Sequence, residues 1–131
     1  MPAAENADVV RLIFDAFLRK DPFVLREVFA RDAVWIVAGD GVMAGTFHGR
    51  GEILRFLSRL PKETDGTYGS RLIDVLASDE RAAALYRATG VRRGRELDLD
   101  QVLLFRLEGG VVTEVLALPT DPAAFDEFWE Q

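Results

Sequence analysis

Residues 96–118, ELDLDQVLLFRLEGGVVTEVLAL, decide the fold. Leu97, Leu99, Leu103, Phe105 and Leu107 recur with a period of two, and Gln101 fills the one gap in the series. That period belongs to a strand with one buried face. Glu108-Gly109-Gly110 then breaks the run, and a second apolar run starts at Val111. A connection this short cannot make a crossover, so the two strands must be antiparallel. Reading toward the N-terminus, Arg93-Gly94 and Asp79-Glu80 are further turn signals. Together they predict a four-stranded antiparallel meander with strands at about 68–77, 82–92, 96–107 and 111–118.

The first half of the chain has a helical period instead. Val10, Ile13, Phe14 and Phe17 line one side of a helix expected over about 5–19. Asp21-Pro22 supplies an N-cap and a proline at the first helical position, opening a second helix to about Phe29 that partly buries Phe23, Val24 and Val28. Arg31-Asp32 reads as a polar break before a first strand, Ala33 to Val37. After a glycine-punctuated loop, Ile53, Phe56, Leu57 and Leu60 face inward from a third helix over about 50–59, with Pro61 as its stop. Thr120-Asp121-Pro122 begins a short last helix ending in Phe125, Phe128 and Trp129. Helices followed by a meander define an α+β domain, and 131 residues make one domain, 1–131. A long twisted sheet curling around three N-terminal helices is expected to enclose a pocket.

Composition narrows the function classes. Net charge is −6 and the pI is about 4.8, which argues against nucleic acid as a partner. Arg92, Arg93 and Arg95 form a local cationic group, expected to be a solvated hairpin tip. There is no cysteine, no apolar run of membrane length, and no basic-then-apolar leader in the first ten residues. The expectation is a cytoplasmic, non-membrane protein without disulfides. A single histidine and no cysteine leave no recognisable metal site, and no cofactor is expected. Ser58, Ser70 and Ser78 lack the nucleophile-elbow context, and the stretch from Gly39 to Gly51 has neither dinucleotide-loop spacing nor a Walker lysine.

Three segments, in order, carry a family resemblance: Phe29-Ala30-Arg31-Asp32-Ala33-Val34-Trp35, Gly45-Thr46-Phe47-His48-Gly49-Arg50, and Val102 to Leu107 followed by Gly110 to Val115. The chain resembles the NTF2-like superfamily and, within it, the ketosteroid-isomerase-like branch that includes SnoaL-like polyketide cyclases. The resemblance implies a cone-shaped fold, a deep apolar pocket for small organic molecules, cofactor-free chemistry in the enzymes, and frequent homodimers through the outer sheet face. Ketosteroid isomerase uses a tyrosine on the first helix, a base aspartate on the first strand and a protonated aspartate on the penultimate strand. The matching positions here hold Ile13, Val37 and Leu103, none of which handles a proton.

Strand parity places Leu99, Gln101, Leu103 and Phe105 inward and Asp98, Asp100 and Arg106 outward. Gln101 is then the one polar group inside on its strand, available to orient a ligand or to satisfy the core. Trp35 and Tyr86 are expected pocket walls, and His48 is expected at the rim. The ligand-contact set expected from these arguments is Ile13, Phe17, Trp35, Val37, His48, Tyr86, Gln101 and Leu103. Two readings stay open at this point. One is a domain that binds a small hydrophobic molecule. The other is a cofactor-free cyclase, isomerase, dehydratase or epoxide hydrolase using His48, or an Asp98 turned inward by a bulge. An apolar outer face built on Ile73 or its neighbours, Val102, Leu104 and Leu116 predicts a homodimer.

Overall fold

The structure, a computed structural model, describes residues 2–131. Helix α1 covers Ala3–Leu18 and α2 Pro22–Val28, followed by strands β1, Phe29–Val37, and β2, Gly45–His48. Helix α3 covers Gly49–Glu63, and the meander comprises β3 (Gly69–Ala77), β4 (Arg81–Arg92), β5 (Arg95–Glu108) and β6 (Val111–Pro119). Helix α4 spans Pro122–Phe128. The strands form one open sheet in the order β2-β1-β6-β5-β4-β3. Strand β1 lies parallel to β6, and every other pair is antiparallel. The long chain between β1 and β6 makes that parallel pairing possible.

Pairing slips between Phe29 and Val34, between Leu72 and Asp74, and between Arg106 and Leu107. An unpaired residue bends its strand and sharpens the twist. The sheet therefore curls around α1, which lies on β3 and β4, and α3, which lies on β1. The result is the α+β cone. Asn6, at the start of α1, donates from Nδ2 to the carbonyls of Ser78 and Asp79 at 3.0 and 2.9 Å, fastening the helix to the β3–β4 turn.

Several local expectations need correction. Strand β1 starts at Phe29, and Arg31-Asp32 lies inside it on an exposed bulge rather than breaking the chain. Pro61 does not stop α3, which continues to Glu63. Pro61 removes one helical bond and crowds the Leu57 carbonyl, but only two helical residues follow it, and Thr64 closes the end by donating from Oγ1 to the Leu60 carbonyl at 2.8 Å. Phe23 is 79% exposed, because the inward positions of the seven-residue α2 are Leu25 and Val28.

Arg92 is not part of a solvated tip. It is 4% exposed, and its Nη1 donates to the carbonyls of Phe128 and Glu130 at 3.4 and 2.6 Å. The guanidinium thus holds down the C-terminal end of α4, whose last carbonyls have no helical partner. Trp129 completes the closure. Its carbonyl accepts from Val42 N–H at 2.8 Å, and a Cβ on Gly41 would come within 2.6 Å of the Trp129 Cβ. Only glycine fits there.

Candidate functional site

Where the helices meet the concave side of the sheet, a hollow of about 60 Å³ remains. Alternation along the strands supplies its walls. Ile13 and Phe14 come from α1, Trp35 and Val37 from β1, and Gln101 and Leu103 from β5. Phe56 and Leu57 of α3 form one side, and Phe125 and Trp129 close the end reached by α4. Ring packing fixes the shape: Phe14 meets the edge of Tyr86 at 5.2 Å, and Trp35 lies 5.5 Å from Phe56.

The lining contains no carboxylate, imidazole or ammonium group. Its polar atoms form a short neutral chain. Tyr86 donates its hydroxyl proton to Gln101 Oε1 at 2.7 Å, across the β4–β5 pair in which the two residues are direct partners. The Tyr68 hydroxyl lies close enough to that of Tyr86 for the two to interact. Burial pushes both phenols above their ordinary range; the interaction with Tyr86 partly offsets this for Tyr68, whereas proximity to Tyr68 raises Tyr86 further. Both hydroxyls are therefore neutral donors and acceptors rather than bases. Trp35, 4% exposed, adds an indole Nε1–H that has no hydrogen-bond partner among the described residues. A buried donor left unpaired is costly, and an acceptor oxygen arriving with a ligand would relieve it.

Ile13, Phe17, Trp35, Val37, Tyr86, Gln101 and Leu103 all line this hollow. His48 does not. It is exposed at the end of β2, where its backbone N–H donates to Glu52 Oε1 at 3.2 Å. The rim expected at His48 is absent because β2 is the outermost strand beyond β1, and three of its four residues are exposed. Asp98 is also excluded. No bulge turns it inward, since β4 and β5 pair without a slip from Arg81 to Arg92. It stays on the outer face, where Arg87 Nε donates to its Oδ1 at 2.7 Å while Arg87 Nη1 reaches Asp100 at 3.1 Å. The Arg87 guanidinium holds the Asp98 carboxyl below its ordinary range, with the residual desolvation opposing. A carboxylate so stabilised is a poor base and no acid at neutral pH.

Tyr68, Ser70 and Met43 line the hollow without having been expected there. Counting back from the Asp79-Glu80 turn without a slip would pair Tyr86 with Ile73 and turn Tyr68 outward. The bulge pairs Tyr86 with Leu72 instead and reverses parity for the start of β3. The aromatic character of Tyr68 was the only available signal. Among the described residues no cluster of three or more metal-ligating side chains occurs.

A curled sheet with helices inside it and an apolar hollow at the centre defines a SnoaL-like domain. Residues 10–115 match the family model described as SnoaL-like domain, and the chain belongs to that family. The uncharacterized protein Rv0034 of Mycobacterium tuberculosis (strain H37Rv) is 36% identical over 125 residues, 95% of either chain. Among solved structures, Bal32a from a soil-derived mobile gene cassette has a TM-score of 0.93 at 35% identity, covering 98% of both chains. A protein of unknown function with a cystatin-like fold from Xanthomonas campestris gives 0.89 at 26% identity over 100% of both.

Proposed function

We propose that this SnoaL-like domain binds a small, largely apolar organic molecule carrying a hydrogen-bonding oxygen, and does so without the ketosteroid isomerase catalytic set. The observation that carries this reading is the neutral lining: a largely apolar hollow whose polar groups are hydroxyls, an amide and an indole, with no ionised side chain. The family resemblance adds that Ile13, Val37 and Leu103 stand where ketosteroid isomerase is expected to keep its proton-handling residues. Such a lining orients a carbonyl or phenol but has no group that takes up a proton at neutral pH. The enzyme reading depended on His48 or Asp98 reaching the hollow, and neither is in its lining. The ligand displaces side chains or uses adjoining space, because about 60 Å³ matches only a few water molecules.

Calorimetric titration with acetophenone and with ethylbenzene tests the reading. Saturable binding of both, tighter for the ketone, supports it; absence of saturable binding of either overturns it. We further propose that the domain is a cytoplasmic homodimer paired through the outer sheet face of Ile73, Val102, Leu104 and Leu116, of which Ile73 and Leu104 are exposed and Val102 and Leu116 half-buried. Light scattering at micromolar concentration should give twice the 14.6 kDa chain mass.

A further inference from the structure

A second and larger space, about 400 Å³, opens between the C-terminal ends of α1 and α3. It shares Phe17, Leu57 and Tyr68 with the inner hollow, so these three side chains form the wall between the two spaces. The chain has two lysines, Lys20 and Lys62, and both line this groove, which has no acidic residue in its lining. In a protein of net charge −6 that segregation stands out. Neither ammonium has an ion pair among the described residues. The carboxylates next to them in sequence are engaged elsewhere. Asp21 accepts from Val24 N–H at 3.2 Å and lies 3.7 Å from Arg19, while Glu63 lies 4.0 Å from Arg92.

Lys20 also sits in the left-handed region, with φ of 55°, just past the end of α1. Glycine is the favoured residue there, and a lysine accepts backbone strain to occupy it. Complementing the helix dipoles would explain a cation near each helix end, but not the apolar floor that joins the two lysines to the hollow.

We infer that the ligand of the site proposed above is an amphipathic monocarboxylate. Its carboxylate rests at the groove between Lys20 and Lys62, and its apolar portion passes Phe17, Leu57 and Tyr68 into the hollow. This inference rests on the binding reading of the hollow, and the experiment separates the two. Octanoate and octanol are titrated calorimetrically into the wild-type chain and into the K20Q/K62Q double variant at low ionic strength. Octanoate should bind the wild type about tenfold more tightly than octanol, two ion pairs to the exposed Lys20 and Lys62 supplying the difference at low ionic strength. That preference should vanish in the double variant while octanol affinity is unchanged. Octanol binding with no preference for octanoate would overturn the inference and leave the binding reading standing. A preference that survives K20Q/K62Q would overturn it as well, and no binding of either probe would overturn both.

Discussion

The two faces of β5 differ sharply in burial and charge, although they alternate residue by residue. Leu97, Gln101, Leu103, Phe105 and Leu107 are buried on the inner side. On the outer side, Asp98, Asp100, Leu104 and Arg106 are exposed. Ionisable groups stay on the wet side, where the Arg87 fork pairs Asp98 and Asp100 and water carries much of their solvation. The dry side carries polarity only as neutral groups, of which Tyr86 and Gln101 bond to one another and the Trp35 indole N–H has no partner among the described residues. A half-turn of one residue therefore separates surface electrostatics from a ligand chamber, and the register of the sheet assigns each side chain to one or the other.

The largest effect should come from moving a charge across that divide. Leu103→Asp puts a carboxylate at the floor of the hollow, and the expected loss is about 3–5 kcal/mol at neutral pH. Burial raises the folded-state pKa of the new acid above its unfolded value. Stability should therefore fall as pH rises from about 4 through the folded pKa, and urea melts at several pH values will show the slope. A variant as stable at pH 7 as at pH 4 would show that position 103 is wet.

Tyr86→Phe is the milder version on the same face. It removes the donor to Gln101 Oε1 and strands a buried amide oxygen, at a cost of about 1–2 kcal/mol in denaturant melts. It should also narrow the preference for acetophenone over ethylbenzene. The smallest effect belongs to the outer face. Asp98 has a lowered pKa in the folded state, so its stabilising contribution is present above the unfolded pKa and is lost as pH falls through the folded pKa. Asp98→Asn should leave ligand affinity unchanged, leave the neutral-pH melt close to wild type, and flatten the acid limb of the stability profile.

Much of this division was legible in the sequence because period-two alternation reports directly on which side is dry. The run from Leu97 to Leu107 placed Gln101 inside and Asp98 and Asp100 outside, and the helix stripe through Val10, Ile13 and Phe14 fixed the packing face of α1. What the sequence hid were departures from strict period. The bulge at Ile73 reverses the parity of Tyr68, so one of the two phenols in the hollow was invisible to counting. Arg92 was misread for a different reason. Its chemistry says surface, and only the tertiary placement of the α4 carbonyls explains why a guanidinium is buried there. His48 followed a family motif onto an edge strand that does not reach the pocket.

Methyl-resolved NMR during a titration with acetophenone reads both faces at once. Saturable shifts are expected at Ile13, Val37 and Leu103, with Leu104 and Ile73 unmoved. Shifts confined to Leu104 and Ile73, or none that saturate, would show that the inner hollow is not the ligand site.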